Sequence, residues 1–118
     1  MAIISSHALN GIDGTHARGI PVLLKNLLTG KDIFNIKMDD NGRLKKEIKS
    51  DQININDYCE LIFFMEKYWK NKNLFINENQ ILDQVVIRFK ILNLETTYHI
   101  PVILSPNTYS VWWSGEHK

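Results

Sequence analysis

Tyr98-His99-Ile100-Pro101-Val102-Ile103-Leu104-Ser105-Pro106, followed by Tyr109-Ser110, is the stretch whose reading decides the fold. At period two, Tyr98, Ile100, Val102 and Leu104 fall on one face, and His99, Pro101 and Ile103 on the other. The first set is an unbroken apolar face and predicts a strand from Thr96 to Leu104 laid on a core. Thr108 to Trp113 then returns as a last strand. His99 is an ionisable residue where a sheet would normally want an apolar one. It projects from the outer face, toward a groove or a partner subunit. A lone histidine on a strand is more often a solvated or hydrogen-bonded side chain, so its meaning depends on the rest of the chain.

Upstream, Gln84 to Leu92 is the clearest strand, with Val85, Ile87, Phe89 and Ile91 alternating with Val86, Arg88 and Lys90. Ile3 to Leu9 reads as a first strand, ended by Asn10-Gly11 and Asp13-Gly14. Ile20 to Leu28 and Ile33 to Met38 follow, with Thr29-Gly30-Lys31 between them. Asp39-Asp40-Asn41-Gly42 is a turn whose residues tolerate left-handed backbone. Arg43 to Ile48 is short and charged, as an edge strand is, and Asp57 to Phe64 is a fifth strand. From Met65 to Asn71 the alternation fails and helix formers take over, which predicts a short helix. Asn71 to Gln80 reads as a polar surface loop. Short strands at even intervals predict an all-β protein, a sandwich or barrel of seven to eight strands with one short helix.

The 118 residues suit one domain, 1–118, large enough to bury a core without staples. Hydrophobic residues make up 44% and charged residues 23%, as in globular proteins, and the formal net charge is only +1. Such a balance, with scattered lysines, provides no basic stripe for nucleic acid. One cysteine, Cys59, excludes an intrachain disulfide framework and a Cys-based zinc site, and beside Leu61-Ile62-Phe63-Phe64 it reads as a buried thiol. No segment approaches a membrane span, and Met1 to His7 lacks the form of a secretion signal, so a cytoplasmic location is expected.

Few residues can do chemistry at neutral pH: His7, His16, His99 and His117, helped by Arg18, Arg43 and Arg88. There is no Gly-rich phosphate loop, no nucleophile elbow and no metal-spaced histidine pair, so no metal or cofactor is expected. His16 in a turn and His117 in the tail read as solvated. His7 shares a half-polar strand face with Ile3, Ser5 and Leu9. Arg43, taken alone, reads as a solvated edge-strand arginine. Two histidines and an arginine could nonetheless form a hydrolytic site. Neutral imidazole takes a proton from water, and a guanidinium holds a carbonyl oxygen or an anion. Composition does not show that His7, Arg43 and His99 meet.

A resemblance speaks to that point. Ser6-His7-Ala8-Leu9-Asn10, then Ala17-Arg18-Gly19-Ile20-Pro21-Val22, is similar to the opening of the transthyretin-like family. Asp39-Asp40-Asn41-Gly42-Arg43 resembles its Thr-Asp-x-x-Gly-Arg turn. Tyr68-Trp69-Lys70 lies where that family has its short helix, and Asp83 to Phe89 resembles its Pro-Glu-Val-Val-x-x-Phe strand. Tyr98 to Pro106 with Tyr109-Ser110 is similar to its closing signature. The resemblance covers nearly the whole chain and implies an antiparallel β-sandwich. With His7, Arg43 and His99 present, it points to the 5-hydroxyisourate hydrolase branch. It implies these three as catalytic residues, a small-molecule substrate, and a homotetramer, a dimer of dimers, with sites in a channel between dimers.

The chain departs from the family at its end. The hydrolases finish with Tyr-Arg-Gly-Ser, which helps line the site; here Trp112-Trp113-Ser114-Gly115 stands in that place. Ser114, Trp112 and Trp113 are therefore expected at the substrate, with one cation lost and two indoles gained. The implied reaction converts 5-hydroxyisourate to 2-oxo-4-hydroxy-4-carboxy-5-ureidoimidazoline in urate degradation. Two alternatives stay open: an enzyme of this fold acting on a different cyclic substrate, or a non-catalytic transthyretin-like binding protein.

Overall fold

The computed structural model describes residues 1–72 and 80–115. His117 and most of the expected loop from Asn71 to Gln80 lie outside these residues. Nine strands and one helix follow in order among the described residues: β1 (Ala2–Asn10), β2 (Pro21–Asn26), β3 (Asp32–Lys37), β4 (Arg43–Ile48), β5 (Tyr58–Phe64), α1 (Glu66–Lys72), β6 (Gln84–Lys90), β7 (Thr97–His99), β8 (Val102–Ser105) and β9 (Thr108–Val111). They form two sheets. One runs β4-β1-β8-β9 with β7 also paired to β1, and the other runs β3-β2-β5-β6. The charged strand β4 does lie at an edge.

Alternation decides which side chains fill the space between the sheets. Ala2, Ile4, Ser6, Ala8 and Asn10 of β1 are buried, while Ile3, Ser5, His7 and Leu9 are half-buried on the outer face. Tyr98, Ile100, Val102 and Leu104 are all buried, and they meet Val22, Leu24, Leu61, Phe63 and Val85 from the other sheet. Each fully buried aliphatic side chain contributes about 1.5–3 kcal/mol relative to exposure. The polar pair inside, Asn26 and Asp57, is hydrogen-bonded at 3.0 Å, and Asp57 also accepts from the Asn54 backbone at 2.8 Å. The thiol of Cys59 is buried, and burial pushes its pKa up to about 11. It is a structural thiol, not a nucleophile.

Helix α1 starts with Glu66 and ends with Lys70 and Lys72, charges that suit the helix dipole. Lys70 pairs with Glu66 one turn back at 2.7 Å. Trp69 anchors the helix: its side chain is fully buried, and its indole N–H donates to Met65 Sδ at 3.4 Å.

Two features differ from the sequence reading. The single strand expected from Thr96 to Leu104 is broken into β7 and β8, which makes nine strands among the described residues rather than the expected seven to eight. Pro101 has no N–H to continue a ladder, and it is buried rather than turned outward with His99. The buried Ser6 hydroxyl donates to the Ile100 carbonyl at 2.6 Å at this break. The second difference is direction: β1 runs parallel to β7 and β8, and every other named strand pair is antiparallel.

Candidate active site

Strand β1 is the spine of the site. In its antiparallel pairing with β4, His7 stands directly opposite Arg43 and Ser5 opposite Lys45. In its parallel pairing with β7, Ser5 stands opposite His99. Ser5 and His7 share the outer face of β1, so the register of two neighbours gathers Arg43, His7, Ser5 and His99 on one side of the sheet. Tyr98 keeps β7 in this orientation from the inside. Its hydroxyl donates to the Asn93 carbonyl at 2.7 Å and accepts from the backbone N–H groups of Leu92 and Asn93. With Tyr98 held inward, His99 must face out.

Arg43 is aimed by the turn before it. One carboxylate oxygen of Asp39 accepts from the backbone N–H of both Asn41 and Arg43 at 2.9 Å, and Gly42 takes the left-handed conformation at φ 69°. A groove of about 430 Å³ opens on this face, lined by Ser5, Asp39, Arg43, Lys45, Thr97 and His99. His7 adjoins it through Arg43, and its own ring is turned to His16. His7 Nε2 and His16 Nδ1 are 2.8 Å apart, and Ser5 Oγ and His99 Nδ1 are also 2.8 Å apart.

These contacts set the chemistry. Partial burial, the Arg43 guanidinium and the His16 imidazole, in that order, push His7 below the ordinary imidazole pKa. A backbone hydrogen bond at Asn41 opposes them, and His99 adds a smaller downward push. The lowered pKa favours the neutral ring, the form a general base needs. The Ser5 hydroxyl holds one nitrogen of His99 and leaves the other for a ligand. The face thus combines an imidazole of lowered pKa, a second oriented imidazole and a planar guanidinium. Among the described residues, no group of three His, Cys, Asp or Glu side chains could hold a metal ion.

Comparison with known proteins adds a lineage to this geometry. A family model described as the HIUase/Transthyretin family matches residues 4–113. The chain belongs to the HIUase/Transthyretin family. It is 32% identical over 113 residues to a probable 5-hydroxyisourate hydrolase of Caenorhabditis elegans, covering 94% of this chain and 79% of that one. It is 26% identical over 115 residues to the 5-hydroxyisourate hydrolase of Pseudomonas aeruginosa, covering 95% of this chain and 90% of the relative. Among solved structures, (S)-allantoin synthase is similar at a TM-score of 0.85 and 23% identity. That likeness is one of fold over 96% of this chain, which spans only 43% of the longer synthase chain. Transthyretin from Sparus aurata shares the fold over 97% of each chain at a TM-score of 0.79 and 16% identity.

Within this family member the tail takes two paths. Ser114 reaches the site through its backbone: its N–H donates to the His99 carbonyl at 2.8 Å, and its carbonyl accepts from the His99 N–H at 3.0 Å. Trp112 and Trp113 do not line the His99 groove. They flank a separate apolar cleft of about 570 Å³ at the open side of the sandwich, between β6 and the last strand, with Phe89, Tyr98 and Val111. The reason is periodicity. β9 ends at Val111, and the irregular segment after it turns both rings, about half exposed, toward the neighbouring edge strand.

Sequence reasoning did not show two pairings, Ser5 with His99 and His16 with His7, although His16 is exposed as its turn position implies. Ser5 offered no signal beyond its place on the His7 face. His16 had one: Asn10-Gly11 and Asp13-Gly14 are reversal signals, and a chain that doubles back there returns alongside β1.

Proposed function

We propose that this family member hydrolyses 5-hydroxyisourate, opening its cyclic amide to 2-oxo-4-hydroxy-4-carboxy-5-ureidoimidazoline in the degradation of urate. One observation carries the reading: His7 and Arg43 are register partners, with His99 one strand away on the same face. Its kinship with relatives named as 5-hydroxyisourate hydrolases supports the choice of substrate.

In this mechanism the imidazoles of His7 and His99 orient a water molecule and take its proton. The hydroxide adds to the ring carbonyl carbon, and the carbonyl oxygen becomes negative. Arg43 binds that oxygen as the charge develops, where a fixed cation is worth most. The carbon–nitrogen bond then breaks, the imidazolium returns a proton to the departing nitrogen, and the added oxygen remains in the new carboxyl group. Atoms and charge balance with water alone. The indoles lie on another cleft, so the groove itself favours a small polar ring over a flat apolar ligand.

The direct test is the decay of 5-hydroxyisourate with purified protein against the uncatalysed rate. Acceleration is expected, and decay at the uncatalysed rate would overturn the reading. Arg43→Lys keeps the charge but loses the planar fork. It is expected to lower kcat by about tenfold or more, in line with the loss of one preorganised oxyanion donor. A variant with unchanged kcat would remove Arg43 from the mechanism.

We also infer a homotetramer. The edge strands β6 and β9 lie on the same side of the sandwich, flanking a cleft with Trp112 46% and Trp113 50% exposed. Unpaired edges and apolar surface call for partners. Sedimentation at micromolar concentration is expected to show a species four times the 13.8 kDa chain. A monomer alone would contradict it.

A further inference from the structure

The turn after β1 carries an imidazole for which the proposed reaction has no role. Asn10 begins the turn, its side-chain oxygen accepting from the backbone N–H of Ile12 at 2.8 Å and of Asp13 at 3.3 Å. The chain then doubles back along β1. The Asn10 backbone N–H donates to the Thr15 carbonyl at 2.8 Å, and that of Ala17 donates to the Ala8 carbonyl at 2.9 Å. His16 consequently bridges to Leu9, two residues along the outer face from His7. The two imidazole rings lie with centroids 5.0 Å apart, tilted by 37°. Their facing nitrogens, His7 Nε2 and His16 Nδ1, are at hydrogen-bond distance, 2.8 Å.

We propose that His16 is a positioning residue, which through this nitrogen–nitrogen hydrogen bond holds His7 in one ring orientation and one tautomer beside Arg43. The inference deepens the hydrolase reading and rests on it for the catalytic consequence. Its physical basis is simple. Two imidazole nitrogens joined at 2.8 Å share a single proton, because one must donate and the other accept. As the base of the proposed reaction, His7 carries its proton on Nε2 and donates it to His16, which leaves the lone pair of its far nitrogen to take the proton of water. The charged and titratable groups that face His7 are Arg43 from β4, His16 from the turn and His99 from β7, and all three oppose a proton on it. His16 is the only one of the three that also grips the ring.

The experiment combines activity with a reading that needs no substrate. Nitrogen-15 spectra of histidine-labelled protein report the tautomer and titration of each ring. In the wild type His7 is expected in one tautomer, titrating below an ordinary histidine. In His16→Ala the tautomers are expected to mix and the titration to move up toward the ordinary value. The kcat for 5-hydroxyisourate is expected to fall about tenfold to a hundredfold, the scale of a misplaced catalytic group, with KM little changed. The acid limb of the rate profile should move to higher pH along with the His7 titration. His16→Asn can present its amide oxygen where Nδ1 was, accept from His7 Nε2–H, and should recover most of the rate by holding the ring. Lacking a titrating charge, it should leave the acid limb displaced. If His7 keeps its tautomer and titration in His16→Ala, the positioning role is wrong. It is equally wrong if the rate falls by the same factor at all pH values, in step with lost folded protein. A wild type in which His7 holds one tautomer and titrates low, but which shows no turnover, would overturn the hydrolase reading and leave the pairing standing.

Discussion

Replacing His7 or His99 with alanine is expected to slow 5-hydroxyisourate turnover by about a hundredfold to ten-thousandfold, the usual contribution of a positioned general base. That is about 3–5 kcal/mol of transition-state stabilisation, at 1.36 kcal/mol per tenfold. Both side chains are half-buried on the outer sheet face, away from the packed interior, so their loss leaves the core intact. A urea midpoint for each variant should lie within about 0.5 kcal/mol of wild type, as for substitutions outside a core or network. Each change will sit toward the upper end of that range, because Ser5 loses its partner in one and His16 loses its partner in the other, both at 2.8 Å. The sign of the pH dependence follows from the lowered pKa of His7. A base is active when unprotonated, so its activity survives to a pH below that of an ordinary histidine and is lost as pH falls further. Turnover unchanged in both alanine variants would remove the imidazoles from the chemistry.

Gly42→Ala should damage stability and turnover together. Gly42 sits at φ 69°, and a Cβ there would stand 2.6 Å from the Ala8 carbonyl oxygen and 3.2 Å from the Ala17 backbone. The left-handed conformation alone costs about 1–3 kcal/mol for a residue with a side chain, and the collision with backbone adds to it. Neither neighbour is free to retreat. The Ala8 N–H donates to the Gly42 carbonyl at 2.7 Å, and the Ala17 N–H donates to the Ala8 carbonyl at 2.9 Å. Relief must therefore come from the turn, which carries Arg43 as its next residue and contacts His7 through Asn41. A drop in the urea midpoint, with kcat reduced more than the folded fraction explains, is the expected result. A wild-type midpoint would show that the turn has room to spare.

The same turn shows how much of this protein was legible in its sequence. Asp39-Asp40-Asn41-Gly42 announced a tight reversal through local chemistry, and the structure supplies the left-handed glycine and the Asp39 side-chain bonds that chemistry requires. Tyr98, Ile100, Val102 and Leu104 were legible as core because alternation is a local geometric fact. Trp69 was legible within a helix because the alternation stops before it. Pro101 was misread. Its effect on the ladder depends on β1 lying beside it, and nothing near Pro101 in the chain reports that.

What the sequence by itself determined is which faces are apolar, where the chain turns and, through its kinship, which fold these elements build. All of this is encoded within a few residues or in motif order. Only the tertiary structure decided which outward-facing side chains meet. His7 meets Arg43 through antiparallel register, and Ser5 meets His99 through a parallel pairing that joins the two ends of the chain. His16 meets His7 because a turn folds back on β1, while Trp112 and Trp113 leave the site because the last strand ends at Val111. The physical reason is the same in each case. Burial selects faces by local periodicity, but a polar outer face is not selected by the core. Its contacts are set by strand register, which is a property of two segments at once.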